Sequence, residues 1–284
     1  MENRSFRFGT VGTPINKPAK PGGSVGGIYY LAELGLEAME LGWVRSVRVS
    51  ESTAENIQAA GKEQDVALSV HAPYYINLNA DEEEWPKSRN RLMDAARAGY
   101  ASGATDIVFH PGSYFGKPPA EVLNTSLPRL EGCVKELQAE GNSVLLRPET
   151  MGKGAMLGSL EDTLEMSQLT GVEPCLDFAH LHARPGDGSM NSYSEWMDVL
   201  TAYQKKLGDE SLQRLHCHLS GIEYTEKGEQ NHLAITESDF NLDGLFRALK
   251  KFNAGGRILC ESPIMEEDAL FLQIAWQKFN GEAG

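Results

Sequence analysis

Short apolar runs alternate along the chain with longer stretches in which apolar residues recur at helical spacing. Runs of this kind, closed by a polar or glycine-containing turn, are typical of strands that are covered on both faces. The runs that we interpret as strands are 6–10, 38–42, 67–71, 106–110, 143–147, 174–178, 214–220 and 257–261.

Helical spacing fills the intervals between these runs, and a glycine lies near the end of several helical stretches. The clearest helical candidates are 82–103, 127–141, 160–171, 193–208, 242–253 and 267–279. Strand and helix therefore alternate, with strand starts mostly about 30 to 40 residues apart, and this pattern predicts repeated βα units with a parallel sheet.

Eight βα units predict a closed barrel. We therefore expect an α/β fold, a single (β/α)8 TIM barrel that forms one domain over residues 1–284. Two polar segments, 182–192 and 221–232, are predicted to be long loops that follow strands. In such barrels the loops after the strands carry the functional residues, so we expect the chemistry at the C-terminal face.

Composition agrees with a folded globular protein: 41% of the 284 residues are apolar and 23% are charged. No apolar stretch is long enough to cross a bilayer, so no membrane partner is expected. The start, "MENRSFRFGT", lacks the apolar core and the cleavage site of a secretory signal. We expect a cytoplasmic protein.

The formal net charge of −14 argues against a broad basic surface for nucleic acid, although it does not exclude a local one. Carboxylates that bind a metal count fully in this total, although the ion neutralises them. The four cysteines are Cys133, Cys175, Cys217 and Cys260. Since they form no CxxC pair and lie mostly in apolar runs, we expect buried, reduced thiols.

Histidines mark the predicted carboxyl ends of the strands, and none is predicted to lie in a helix. The seven histidines are His71, His110, His180, His182, His216, His218 and His232. Unrelated structural histidines would be distributed over helices and loops. This placement therefore favours a shared metal site at the C-terminal face of the barrel.

Carboxylates accompany the histidines at strand ends, namely Glu149, Asp177 and Glu261. Histidine and carboxylate ligands without a cysteine pattern favour zinc or manganese in an open catalytic site, where a bridging carboxylate can hold two ions. Asp177 and His180, three residues apart across a strand-to-loop junction, are hard to explain by packing. Glu261 taken alone is equally compatible with an ion pair to an arginine.

Alternation in "RLHCHLS" places His216 and His218 on one face of a strand. Only one of them is needed as a ligand, and His218 is preferred because it lies nearer the mouth of the barrel. For His182 and His216 we favour a supporting or surface role.

Six motifs occur in the order and at the strand-end positions found in endonuclease IV: "HAPYYINL", "FHPGSY", "PETMGKG", "CLDFAH", "HLS" and "ESP". The chain resembles this family of apurinic/apyrimidinic endonucleases. Their superfamily also contains the xylose isomerase-like sugar isomerases and epimerases. The resemblance implies a cluster of two or three zinc ions that cleaves DNA 5′ of abasic sites in base excision repair.

The resemblance also implies a set of metal ligands. They are His71, His110, Glu149, Asp177, His180, His218, His232 and Glu261. Glu149 is implied as the bridge between two ions and as the catalytic residue nearest the nucleophilic water. Clustered divalent ions suit this reaction because they activate water and stabilise the negative charge that develops on the attacking and leaving oxygens.

The sequence departs from the family at the third ion, where the family has an Asp-x-His pair. Here Gln230 lies two residues before His232, and Glu229 is the nearest acid. A glutamine amide oxygen is a poor zinc ligand, so the third ion is expected to be weakly held, supported by Glu229, or absent.

Substrate contacts are expected from Tyr74, Tyr75 and Ser113. Tyr74 matches a substrate-side tyrosine of the family, whereas Tyr75 replaces an aliphatic residue that wedges into the duplex, where an aromatic ring can still stack. The family's early loop with a DNA-penetrating arginine has no convincing counterpart, since Arg45 and Arg48 are the only basic residues near that position.

Three functions remain open, and for each we expect a monomer. The preferred function is metal-dependent cleavage of DNA that contains abasic sites. The second is a sugar isomerase or epimerase with one divalent ion and a small sugar substrate; His71 and His110 argue against it, because a mononuclear site does not need them. The third is a non-catalytic protein that binds metal or damaged DNA.

Overall fold

The computed structural model describes residues 6–281, and its strands and helices alternate along most of the chain. The strands are β1 (Phe6–Val11), β2 (Ala38–Gly42), β3 (Ala67–His71), β4 (Asp106–Phe109), β5 (Leu145–Pro148), β6 (Cys175–Asp177), β7 (Leu215–Leu219), β8 (Gly221–Thr225), β9 (Gly228–Leu233) and β10 (Gly256–Cys260). The α-helices are α1 (Gly23–Glu33), α2 (Glu51–Gln64), α3 (Trp85–Ala101), α4 (Pro119–Ala139), α5 (Leu160–Thr170), α6 (Phe178–Ala183), α7 (Tyr193–Leu207), α8 (Leu242–Lys251) and α9 (Glu266–Asn280).

Eight of these strands form one parallel sheet in the order β5-β4-β3-β2-β1-β10-β7-β6. Its two outer strands meet where Glu149 and Cys175 form a parallel bridge and the amide of Thr150 donates to the Cys175 carbonyl at 3.0 Å. The sheet thereby closes into a barrel with helices around it. The predicted (β/α)8 TIM barrel is confirmed.

The remaining two strands correct the sequence-based interpretation of 221–232 as a loop. β8 and β9 form an antiparallel hairpin at this position. Ile222 and Tyr224 pack against α6, where Ala179 and Ala183 are fully buried. The polar composition of the segment hid this arrangement, because only one face of the hairpin is apolar and the other is exposed.

A second correction concerns the histidines, since His180 and His182 lie in α6 instead of a loop. This helix follows β6 directly. Asp177 caps its first turn, because its carboxylate accepts a hydrogen bond from the amide of His180 at 2.6 Å. An aspartate in that position satisfies a free N–H group at a helix start. The short helix α6 therefore redirects the chain at the mouth of the barrel.

Capping boxes fix the starts of two longer helices. Ser159 and Asp162 form a capping box at the start of α5, and Ser192 and Glu195 form one at the start of α7. Capping of this kind satisfies amides that have no partner within the helix. Among residues 6–281 no helix combines the length and the hydropathy needed to span a bilayer.

Polar side chains occupy much of the barrel interior, where TIM barrels usually pack branched apolar residues. Near the amino-terminal ends of the strands, Arg147 Nε lies 2.7 Å from Asp106 Oδ1, and Arg257 Nη2 lies 3.0 Å from Asp106 Oδ2. Glu40 of β2 and His216 of β7 are also buried and meet inside the barrel. Charged and hydrogen-bonded side chains therefore fill the barrel interior beneath the C-terminal face.

Candidate metal centre

The carboxyl ends of the parallel strands bring six of the expected ligands to one mouth, because these ends all lie on the same side of the barrel. His71 ends β3, Asp177 ends β6 and His218 lies in β7, whereas the other three directly follow their strands. The six residues are His71, His110, Glu149, Asp177, His218 and Glu261.

The first ligand group contains His71, His110 and Glu149. Nε2 of His71 and Nε2 of His110 each lie 3.3 Å from Oε2 of Glu149. Nδ1 of His71 is 2.9 Å from the carbonyl oxygen of Ala72, which can only accept a hydrogen bond. This contact places a proton on Nδ1 and leaves Nε2 facing the carboxylate as a ligand atom.

The second ligand group contains Glu149, Asp177, His218 and Glu261. Nδ1 of His218 lies 3.5 Å from Oε1 of Glu149, 3.5 Å from Oε2 of Glu261 and 3.9 Å from Oδ2 of Asp177. Because Glu149 contributes one oxygen to each group, it is placed to bridge two ions.

The third ligand group contains His180, Glu229 and His232. Nε2 of His180 lies 3.5 Å from Oε2 of Glu229, and its Nδ1 is 3.0 Å from the carbonyl oxygen of Thr150. The exposed Gln230 amide instead donates to the carbonyl of Glu229 at 3.0 Å. The hairpin thus places Glu229, and not Gln230, beside the two histidines.

Buried polar atoms without a partner provide a test of whether this centre fits cations. Among the described residues, no hydrogen bond is made by Oε1 of Glu149, Oδ2 of Asp177 or Oε2 of Glu261. Unpaired buried carboxylate oxygens are costly, and divalent ions would satisfy them. The donor set of imidazoles and carboxylates therefore fits zinc or manganese.

Burial and neighbouring charges shift the pKa values of the histidines and carboxylates in this centre. Burial opposes charge on His71, but the hydrogen bond and the negative charge of Glu149 outweigh it and raise the pKa of His71 to about 9. Burial raises the pKa of the Asp177 carboxyl, and the negative charge of Glu149 adds to this shift. Protons and metal cations therefore compete for this centre, so metal affinity should rise with pH.

Two tyrosines follow His71 at the rim. The ring of Tyr74 stacks on His110, with centroids 5.1 Å apart and an interplanar angle of 26°, and burial raises the pKa of Tyr74 to about 12. Tyr75 is 67% exposed. The Ser113 hydroxyl donates to the carbonyl of Ala155 at 3.2 Å, so it holds a loop in this structure. Substrate contact by these three residues remains a prediction.

Sequence reasoning missed Glu40, which is fully buried beside the second ligand group. Its Oε1 lies 3.0 Å from Nε2 of His218, and its Oε2 accepts a hydrogen bond from Nε2 of His216 at 2.9 Å. The available signal was a single acid within the apolar strand "AMELG". A buried acid on a strand requires partners, and the pattern gives no indication of where they come from.

The two histidines set aside as ligands have other partners. His216 contacts Glu40, as described above, and it also lies with Cys175 and His218 in a fourth group of possible ligand atoms. His182 is buried in α6, with Nε2 2.9 Å from Oδ1 of Asp239 and Nδ1 2.9 Å from the carbonyl oxygen of Met190. His182 therefore secures the loop that follows its helix.

Comparison with known proteins agrees with this architecture. The family model described as "Xylose isomerase-like TIM barrel" matches residues 28–278. An uncharacterised protein of Methanocaldococcus jannaschii is 38% identical over 266 residues, which cover 93% of this chain and 94% of that protein. Endonuclease 4 of Thermus thermophilus is 30% identical over 151 residues, covering 52% of this chain and 51% of the relative.

Solved structures share the fold at lower identity. Endonuclease IV from another strain of Thermus thermophilus superposes with a TM-score of 0.71 at 22% identity, covering 96% of this chain and 100% of that chain. A D-tagatose 3-epimerase-like protein superposes with a TM-score of 0.69 at 17% identity, covering 96% and 97%. The chain belongs to the xylose isomerase-like TIM barrel family.

Proposed function

We propose that this protein is a metal-dependent phosphodiesterase that cleaves DNA 5′ of abasic sites, as the resemblance to endonuclease IV implies. The observation that carries the proposal is the sharing of Glu149 between two ligand groups. His71 and His110 lie on one side of this carboxylate and His218 lies on the other. A mononuclear site would leave the first two histidines without a role.

The chemistry of the reaction fits such a centre. Two or three zinc ions would supply an activated water and positive charge for the attacking and leaving oxygens of the phosphodiester. His71, His110 and Glu149 would hold the first ion, and Glu149 would also orient the water. Asp177 and Glu261 would complete the second ligand group with His218.

DNA contact is proposed for the aromatic rim. Tyr74 is 47% exposed and Tyr75 is 67% exposed, and both follow a ligand of the first group in the chain. Aromatic rings at such a position can stack on bases or wedge between them. The net charge of −14 makes this local contact more important, because a broad basic surface is not expected.

The test is a nicking assay on duplex DNA that contains a single abasic site. We expect cleavage 5′ of the lesion with zinc or manganese present and loss of cleavage with a strong chelator. His110→Ala should lower kcat/KM by about 100-fold or more because it removes a ligand. The control is His182→Gln, a buried histidine outside all three ligand groups. No nicking after zinc or manganese is restored would refute the proposal.

A sugar epimerase remains the second candidate, because the second ligand group forms a complete four-residue site by itself. One ion per chain, together with unchanged metal binding in His110→Ala, would favour it. Specific binding of abasic DNA without cleavage under any metal would instead favour the non-catalytic alternative.

A further inference from the structure

Both ring nitrogens of His218 lie near carboxylates, as those of His180 do, but the ring of His218, unlike that of His180, makes no hydrogen bond to a backbone carbonyl. Nδ1 points to Glu149, Asp177 and Glu261, whereas Nε2 lies 3.0 Å from Oε1 of Glu40. An imidazole ligand must present a lone pair to its metal and carry its proton on the other nitrogen. The position of that proton therefore decides whether His218 can complete the second ligand group.

Glu40 reaches His218 across the interior of the barrel. β1 and β10 separate β2 from β7 in the strand order, so the contact crosses the interior. The other oxygen of the carboxylate is fixed by two donors: Ser69 Oγ at 2.7 Å and His216 Nε2 at 2.9 Å. Glu40, Ser69 and His216 are all buried, so this contact is shielded from bulk solvent.

Oε1 of Glu40 and Nε2 of His218 are 3.0 Å apart, but neither atom makes a hydrogen bond in this structure. We propose that Glu40 is a positioning residue for the metal centre, which accepts the Nε2 proton of His218 when an ion binds at Nδ1 and so holds the ring in the orientation for metal binding. The inference rests on the proposed metal centre and adds a part that none of the three ligand groups contains. Carboxylates that orient metal-binding histidines in this way fix the tautomer and raise the basicity of the ligand atom.

The substitution Glu40→Gln tests this arrangement with almost no change of volume. An amide has one acceptor oxygen, and the side with two donors, Ser69 and His216, is the favourable place for it. The NH2 group then faces Nε2 of His218 and donates to it. This hydrogen bond would move the proton of His218 to Nδ1, which is the wrong tautomer for metal binding.

Zinc chloride is the probe, titrated into apoprotein against a chromophoric chelator. We expect Glu40→Gln to weaken zinc binding by about 10- to 100-fold at one class of sites, while the remaining sites keep wild-type affinity. The cobalt-substituted variant should show an altered visible absorption spectrum. The matched control is Glu173→Gln, a buried carboxylate that contacts Arg147 and Arg214 away from all three ligand groups. It should lose stability but keep zinc affinity.

A second measurement needs no variant. In the zinc-loaded wild-type protein, 15N NMR of the imidazoles should show the proton of His218 on Nε2 and the ion on Nδ1.

Unchanged zinc affinity in Glu40→Gln, or a zinc-bound Nε2, would overturn the inference. Loss of one whole ion in both Cys175→Ser and His216→Ala would overturn it as well, because His218 would then bind its ion within the group of Cys175, His216 and His218. These readouts do not depend on DNA cleavage, so failure of the proposed function would be recognised separately.

Discussion

At the scale of single residues, three of the proposed ligand histidines are oriented by ordinary hydrogen bonds. Nδ1 of His71 and of His180 contacts a backbone carbonyl oxygen, and Nδ1 of His232 is 2.7 Å from Oγ of Ser220. Each of these three rings therefore turns Nε2 toward the cluster. The ring of His218 makes no such hydrogen bond; its Nε2 lies 3.0 Å from Oε1 of Glu40.

Glu229 provides a residue-scale prediction. Glu229→Gln should weaken binding of the third ion by about 10- to 100-fold, because it removes the carboxylate beside His180. Gln230→Ala, at the position where the family has an aspartate, should leave the third ion unchanged, because the Gln230 amide bonds to the Glu229 carbonyl instead. Metal analysis after dialysis against a graded chelator measures both. Loss of the ion in Gln230→Ala alone would contradict this assignment.

At the scale of elements, the β8–β9 hairpin decides whether the third ligand group exists. It supplies Glu229 and His232, and the amide of Glu229 donates to the carbonyl of Gly152 at 3.0 Å. Gly228 has a φ of +91°, and a Cβ atom there would lie 2.3 Å from the Gly152 oxygen. The close approach of the hairpin to the loop after β5 therefore requires glycine.

Gly228→Ala should displace the hairpin and release the third ion, while the first two ligand groups stay intact. The control is Gly171→Ala, which has a similar φ of +78° with no atom near the added Cβ. That substitution should cost only about 1–2 kcal/mol of stability. Hydrogen exchange of the hairpin amides, together with metal analysis, distinguishes the two variants. Equal behaviour of the two would show that close packing at Gly228 is unimportant.

At the scale of the whole molecule, buried ion pairs stabilise the amino-terminal end of the barrel. Burial opposes ionisation of Asp106, but the charges of Arg147 and Arg257 outweigh it and hold the pKa of the carboxyl well below its usual value. The folded state therefore binds this proton less readily than the unfolded chain. The resulting stability is present above about pH 4 and is lost as the pH falls further.

Asp106→Asn should therefore lower the free energy of unfolding at pH 7 by about 3–5 kcal/mol, because it leaves two arginines without this charge. The difference from wild type should shrink as the pH falls below about 4. Urea unfolding in the presence of a chelator measures it without contributions from metal. Asp65→Asn, which removes the exposed partner of Arg7, should cost only about 0–1 kcal/mol. A pH-independent difference for Asp106→Asn would contradict the argument.

The sequence by itself determined the barrel and most of its mouth. Apolar runs of strand length, separated by helical stretches, predict a βα repeat without knowledge of any contact. Residues such as His71, Glu149 and Glu261 at strand ends follow from the same pattern, because parallel strands of a barrel end at one face. The order of apolar and polar residues along the chain is sufficient to predict both the barrel and the residues at its strand ends.

Only the tertiary structure decided which side chains meet across the barrel and how the hairpin docks. Glu40 reaches His218 from β2, and Glu229 takes the place that the sequence pattern would give to Gln230. These contacts depend on strand tilt, on closure of the sheet and on the close packing at Gly228. No local pattern encodes such distances, because the residues involved are far apart in the chain and meet only when the whole barrel has formed.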